Sequence, residues 1–350
     1  MLYFYPGPSK LYPQVRNYLA DAYDSGILSM NHRSADFVSI VQSAVMLLKT
    51  KLHIPQDYSV FFVSSATESW EIIAQSLVKK GSLHIFNGAF GQKWAEYSHK
   101  IHQKSSFFPY SLQEELDISK VANDATFEVI CLTHNETSNG TQLDRQTIRA
   151  ISEKYRDKII AVDATSSMAG IELEWENADV WFASVQKCFG MPAGLGLMVC
   201  SPKALAAAQQ INDRKYYNSL LFLAENMQHF QTNYTPNVLN IYVLNQVLSQ
   251  IDDIKIIGER TERNAKNWYH FLEKHGFDVL VKNPKVRSST VIAIQDEETF
   301  IRNIKEKAKQ AGMILGNGYG IWKNTTFRIA NFPAITDEEI AQLRVFLQSI

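Results

Sequence analysis

Between about residue 58 and residue 200 the chain repeats one pattern: a short, continuously apolar run, then a polar or glycine-containing turn, then in most cases a stretch with helical spacing. The runs are Tyr58–Val63, Leu83–Phe86, Phe127–Leu132, Ile159–Val162, Val180–Ser184 and Gly196–Cys200. They are rich in Ile, Val and Phe and lack the strict alternation of a half-exposed strand, which suits strands covered on both faces. Glu68–Lys80 and Leu143–Tyr155 carry apolar residues at helical spacing between them. This alternation predicts an α/β fold built on a mainly parallel sheet between helices. Ligands in such sheets sit at the carboxyl ends of the strands, so the residues just after each run are the candidates for chemistry.

After residue 200 the pattern changes. The Thr235-Pro236-Asn237 turn precedes a helical segment to about Ile251, and a long amphipathic stretch from Ile256 to Lys274 stops at His275-Gly276. Strand-like runs (Phe277–Val281, Thr290–Ile294, Thr325–Ala330) then alternate with helix-like ones (Thr299–Ala311, Asp337–Leu347), which reads as a smaller α+β domain beginning near residue 252.

Composition removes several classes of function. With 350 residues, 45% of them hydrophobic, the chain has the apolar surface that disordered chains lack. Lys plus Arg number 35 against 36 Asp plus Glu, so no global basic field exists to hold nucleic acid or an anionic membrane, and an anionic ligand needs a local site. Cys131, Cys188 and Cys200 form no pairwise framework, which fits a reducing compartment and makes the cytoplasm the expected location. The start, Met1 to Ser9, lacks the basic and apolar regions of a signal peptide, and no apolar stretch reaches the ~18 residues of a spanning helix.

The strongest chemical constellation is an acid and a lysine at two successive strand ends. Asp163 closes the run Ile159–Val162, and Lys187 follows the run Val180–Ser184. A carboxylate in an apolar setting can keep a pyridinium nitrogen protonated, and a nearby lysine can form a Schiff base with an aldehyde, which together are the protein's part of pyridoxal 5'-phosphate (PLP) chemistry. Either residue alone is more commonly a helix-capping aspartate or a surface lysine. Gly190, Pro192, Gly194 and Gly196 after Lys187 leave no room for an ordinary amphipathic helix, which favours the functional reading.

Weaker signals accompany it. Ser64-Ser65-Ala66-Thr67-Glu68-Ser69 precedes a helix whose free N–H groups could hold a phosphate, although such a stretch is usually only an N-cap. Phe90, between Gly88 and Gly91, could stack on a planar ring or simply plug the core. Asn135-Glu136-Thr137 could fix a phenolic oxygen, and reads equally well as a polar turn into Asn139-Gly140. His99 and His102 are three apart on an expected helix with no third ligand at metal spacing, so no metal site is expected. Cys188 reads as a buried, inert thiol, and no Ser/His/Asp signature or nucleic-acid motif occurs.

The segment Ala183-Ser184-Val185-Gln186-Lys187-Cys188-Phe189-Gly190-Met191-Pro192-Ala193-Gly194-Leu195-Gly196 closely resembles the Schiff-base segment of class V, fold-type I PLP aminotransferases. The phosphoserine aminotransferase branch is the most similar, followed by the alanine–glyoxylate and serine–glyoxylate branches. Pro6-Gly7-Pro8-Ser9-Lys10-Leu11 resembles the family's N-terminal segment, Asn31-His32-Arg33-Ser34 its His-Arg element and Phe327-Arg328-Ile329-Ala330 its C-terminal Phe-Arg element. The resemblance implies a large domain over residues 16–251 with a mainly parallel seven-stranded sheet, and a small domain formed by 1–15 and 252–350. It implies that Lys187 carries the cofactor, that Asp163 pairs with the pyridine nitrogen and that Phe90 takes the place of a stacking tryptophan. Thr137 would contact the phenolic oxygen, and Ala66, Thr67 and Gln186 the phosphate, joined by Thr235 from a second subunit, so a homodimer is expected. Arg328 would grip the substrate α-carboxylate, with His32 and Arg33 as candidates for a substrate phosphate.

The implied reaction is ping-pong transamination between phosphoserine with its 2-oxo acid and glutamate with 2-oxoglutarate, a step of serine biosynthesis. Three departures from that branch stand out. No arginine accompanies the turn at Thr67, Gly318-Tyr319-Gly320-Ile321-Trp322 replaces a His-Arg pair before Arg328, and Tyr234 replaces an asparagine before Thr235. They keep alanine–glyoxylate or serine–glyoxylate (serine–pyruvate) transamination open as the alternative. Cysteine desulfuration is disfavoured because no cysteine follows Cys200, and a scaffold without cofactor is disfavoured by the presence of both Asp163 and Lys187.

Overall fold

The computed structural model describes residues 1–101, 104–121 and 125–350. Its strands in chain order are β1 (Leu2–Phe4), β2 (Ser59–Val63), β3 (Ser82–Phe86), β4 (Ser105–Pro109), β5 (Val129–Thr133), the short hairpin β6 (Asn135–Glu136) and β7 (Thr141–Gln142), β8 (Ile159–Asp163), β9 (Val180–Ser184), β10 (Gly196–Cys200), β11 (Val291–Gln295), β12 (Met313–Asn317) and β13 (Thr326–Ala330). The helices are α1 (Val15–Asp24), α2 (Ala35–Leu52), α3 (Ala66–Leu77), α4 (Ala89–Ile101), α5 (Arg145–Lys154), α6 (Pro202–Ile211), α7 (Leu220–Met227), α8 (Val238–Gln250), α9 (Ile254–Lys274), α10 (Glu298–Gln310) and α11 (Asp337–Gln348).

A seven-stranded sheet in the order β2-β10-β9-β8-β5-β3-β4 forms the centre of the molecule. β3, β4, β5, β8 and β9 run parallel to one another, while β10 runs antiparallel to both β9 and β2. The expected α/β architecture is present, and its one reversed strand follows from the connection before it. Residues 185–195 return from β9 without a crossover helix, using Gly190 (φ 60°) and Gly194 (φ 113°) at backbone angles that suit glycine.

The continuous apolar runs are explained by two cores. On β5, Ile130 and Leu132 face one core, which also takes Val162 of β8 and residues of α2, α5, α8 and α9; Val129 and Cys131 face the other, built with α3, α4, α6 and α7. A strand between two cores needs apolar residues at every position. The strands the sequence did not signal are those without this double cover: β4 lies at the sheet edge with half-buried and exposed residues, and β1 has only three residues. β12 carries glycine and asparagine at its end.

A second, four-stranded sheet has the order β1-β12-β13-β11, so the N-terminal strand pairs in parallel with a strand more than 300 residues later. The expected strand at Phe277–Val281 is a correction: only a single bridge forms there, Val279 with Ile294, because α9 ends immediately before it and the segment runs past β11 without a ladder. The expected helix at Ile256–Lys274 forms as α9 two residues longer at its start, where Asp253 caps it. Among the described residues no helix is long and apolar enough to cross a membrane.

The topology gathers the candidate residues at one end of the large sheet. Asp163 is the last residue of β8, Lys187 lies three residues past β9, α3 starts at Ala66 after β2, and Phe90 sits in the first turn of α4 after β3. The entry to α3 is fixed locally: Ser65 is its N-cap, and its Oγ accepts from the Glu68 N–H at 3.1 Å. Replacing Ser65 by Ala is expected to lower stability by about 1 kcal/mol, read in urea as a lower midpoint with an unchanged slope.

Candidate active site

A cavity of about 240 Å3 opens at the carboxyl ends of β8 and β9. Lys187 reaches into it from the glycine-rich loop. Its Nζ donates to Thr137 Oγ1 at 2.8 Å and to Ser166 Oγ at 2.9 Å. Burial lowers its pKa to about 8, against the opposing pull of the Asp163 carboxylate, so near neutral pH this amine is far more often neutral than a surface lysine. Asp163 is equally enclosed; burial raises its pKa, while hydrogen bonds from Thr165 and the charge of Lys187 oppose that rise. Its Oδ1 accepts the Thr165 N–H at 2.9 Å. Amine and carboxylate therefore share one cavity, each reducing the desolvation penalty of the other.

The loop is held from above by the N-terminal segment. The Ser9 N–H donates to the Gln186 carbonyl at 2.9 Å. Gly7 passes so close to the lysine that a Cβ there would stand 3.0 Å from Lys187 Cε, at a φ of +151°.

Ala66, Thr67 and Gln186 line the same cavity. The Ala66 N–H donates to Ser184 Oγ at 2.8 Å, and Glu68 folds back over the preceding turn, accepting the Ser64 N–H at 2.6 Å. The helix thus presents its positive end, with the Thr67 hydroxyl, to the cavity. Phe90 stands on the other side, its ring centre 5.4 Å from Lys187 Nζ. Glu136 fixes this turn: it is buried, one oxygen accepts the N–H groups of Phe90 and Gly91, each at 3.1 Å, and the other accepts the N–H and Oγ of Ser138. Burial raises its pKa and those hydrogen bonds oppose the rise. Gly88 makes room for it, since a Cβ there would lie 2.3 Å from Glu136 Cγ.

Arg328 comes from the middle of β13. Its Nε donates to the Asn317 carbonyl and its Nη1 to the Thr137 carbonyl, both at 2.6 Å. Burial lowers its pKa to about 10, so it remains a cation at neutral pH. Tyr319 stacks on Phe90 with ring centres 4.9 Å apart and planes 22° from parallel.

The structure therefore brings Ala66, Thr67, Phe90, Thr137, Asp163, Gln186, Lys187 and Arg328 together. It does not bring His32, Arg33 or Thr235 into the cavity of this chain. Arg33 is exposed and its Nη1 donates to Gln231 Oε1 at 2.7 Å, which sets the His32–Arg33 turn beside the segment leading to the exposed Thr235. His99 packs edge-on against Phe107, and His102 lies outside the described residues. Cys188 is buried and burial pushes its thiol pKa up, as expected of an inert thiol. Sequence reasoning missed Trp70, Ser166 and Tyr319 as cavity neighbours and the capping role of Glu136. For Ser184 the signal was available, because it ends the β9 run.

With this geometry in view, comparison with known proteins is specific. The family described as aminotransferase class-V matches residues 2–321. A phosphoserine aminotransferase of Rhodococcus opacus is 28% identical over 353 residues, covering 96% of this chain and 91% of that protein. One of Corynebacterium glutamicum is also 28% identical, with the same coverage. Among solved structures, a phosphoserine aminotransferase of Cytophaga hutchinsonii superposes with a TM-score of 0.95 at 34% identity, covering 99% of this chain and 98% of that one. An alanine–glyoxylate aminotransferase of Nostoc shares the fold, with a TM-score of 0.85 at 17% identity, over 99% of this chain and 94% of that one.

The state of Lys187 gives a direct pH prediction. Only a neutral amine attacks an aldehyde, and burial places the loss of the Lys187 proton near pH 8 rather than in the usual lysine range. Trapping of a small aromatic aldehyde on Lys187 by borohydride is expected to rise with pH around a midpoint near 8. Peptide mass spectrometry reads the site; a midpoint shared with the surface lysines contradicts the burial argument.

Proposed function

The chain belongs to the class-V aminotransferase family, and on that premise we propose that it is a PLP-dependent transaminase of the phosphoserine aminotransferase kind. It moves an amino group between phosphoserine with 3-phosphohydroxypyruvate and glutamate with 2-oxoglutarate. The observation that carries this reading is the enclosure of Lys187, Asp163 and Arg328 around one cavity.

The residues present fit the cofactor. A buried carboxylate, a lysine whose pKa is lowered to about 8, an aromatic face and a helix N-terminus stand at four sides of the cavity. When bound, pyridoxal 5'-phosphate supplies an aldehyde for an amine to condense with and a ring that withdraws electrons. Lys187 would carry it and, once displaced by the substrate's amine, would move the proton from the substrate Cα to the carbon that bore the aldehyde, and in the opposite direction in the second half of the cycle. Its hydrogen bonds to Thr137 and Ser166 aim the amine for both transfers. Asp163 holds a proton on the ring nitrogen. Ala66, Thr67 and Gln186 hold the phosphate at the start of α3, Phe90 stacks on the ring and Thr137 meets the phenolic oxygen. Arg328 binds the α-carboxylate.

The active unit in this reading is a homodimer in which Thr235 joins the partner's phosphate site and His32 and Arg33 meet the substrate phosphate. The surface beside Thr235 supports it: Tyr217 is 65% exposed, and its ring packs edge-on against Tyr234. The large cofactor-binding domain spans 16–251, and residues 1–15 with 252–350 form the small one, consistent with the pairing of β1 into the sheet of β11–β13. Three free buried cysteines accord with a reducing compartment such as the cytoplasm, and the reaction proposed is a step of serine biosynthesis. A second reading, alanine–glyoxylate or serine–glyoxylate (serine–pyruvate) transamination, is favoured by one observation. Lys187 and Arg328 are the cations among the residues lining the cavity, and a small substrate needs no more than these.

Two experiments separate these readings. The visible spectrum of the PLP-loaded protein is expected to lose its Lys187-linked band on addition of L-phosphoserine without a keto acid; a band that responds to alanine or serine alone moves the substrate to the second reading. Arg33→Ala is expected to lower kcat/KM for phosphoserine by about tenfold or more with little change for alanine. Equal losses would remove Arg33 as the phosphate reader.

A further inference from the structure

Resting on the transaminase reading and deepening its substrate class, we propose that Lys93 and Tyr319 form a subsite within one subunit for the second acid group of a doubly acidic substrate. Tyr319 lines the cavity. Its ring is stacked on Phe90 and lies 5.7 Å from the guanidinium carbon of Arg328. Lys93, one helical turn after Phe90 on α4, donates from Nζ to the Tyr319 hydroxyl and sits 4.9 Å from the centre of the same ring. Two cations thus flank one tyrosine: the buried Arg328 and the exposed Lys93.

The backbone is shaped to hold this arrangement. Gly318 packs so tightly that a Cβ would stand 2.0 Å from the Trp322 carbonyl, and Gly320 has a φ of +58°. Tyr319 is therefore presented between two positions that suit glycine. Among the described residues Lys93 forms no ion pair with a carboxylate, so its charge is available to a ligand. The Tyr319 hydroxyl accepts from Lys93 and retains its own proton to donate. With Arg328 occupied by the α-carboxylate, a phosphate or side-chain carboxylate beside Tyr319 meets one phenolic donor and one ammonium.

Calorimetric titration of the PLP-loaded protein with unreactive anions tests the subsite without turnover. Maleate and phosphoglycolate carry two acid groups; propionate carries one. Wild-type protein is expected to bind both doubly acidic ligands more tightly than propionate. Lys93→Met, at an exposed position where folding is not at risk, is expected to weaken them about tenfold, with a change in propionate affinity below twofold. Lys93→Arg restores binding, and Tyr319→Phe, which keeps the ring, reproduces part of the loss. A larger loss for phosphoglycolate assigns the subsite to phosphate, and a larger loss for maleate assigns it to carboxylate. Equal weakening of all three ligands, or none, overturns the proposal. If the wild type prefers the doubly acidic ligands yet transfers no amino group from a doubly acidic donor, the phosphoserine reading fails while the subsite stands.

Discussion

The structure is organised around one electrostatic constraint: an amine and a carboxylate buried in the same cavity at the ends of two neighbouring strands. Neither charge is cheap to bury alone, which is why enclosure lowers the proton affinity of Lys187 and raises that of Asp163. Their mutual attraction limits both shifts. The parallel register of β8 and β9 brings the two ends together, with Asp163 opposite Phe182, so the strand that carries Ser184 continues into the Lys187 loop on the same side. The double cover of the sheet and the glycine-rich turn after β9 both serve that placement.

The small sheet completes the cavity from the opposite side. β1 pairs with β12, and the segment after it crosses Lys187 at Gly7 and bonds to the lysine loop at Ser9. β13 delivers Arg328, whose hydrogen bond to the Thr137 carbonyl joins the two sheets through the hairpin that also orients Lys187. A shift of the small sheet therefore moves the Arg328 guanidinium relative to the Lys187 amine. This coupling ties the far ends of the chain to one cavity.

Much of this was legible in the sequence, for identifiable reasons. Strands between two cores announce themselves as unbroken apolar runs, and β5, β8, β9 and β10 were located to within two residues. Asp163 and Lys187 could be paired because both follow such runs. The edge strand β4, the three-residue β1 and the polar-ended β12 carry no such signal. Phe277–Val281 showed the opposite failure, apolar enough for a strand yet lacking a ladder. Glu136 read as part of a polar turn because its role depends on N–H groups 45 residues earlier, which only the fold brings to it. Tyr319 stands out in the sequence only as a departure from a family pattern; its contacts with Phe90 and Lys93 join the loop after β12 to α4 and have no local trace.

The central claim is that Asp163 and Lys187 act on each other inside one enclosed site. The most direct measurement is the pH midpoint of aldehyde trapping on Lys187 in an Asp163→Asn variant, compared with the parent chain. The carboxylate favours the charged amine and burial opposes it, so removing the carboxylate should move the midpoint below about 8. A midpoint that stays where it was, in a variant that remains folded, would contradict the account.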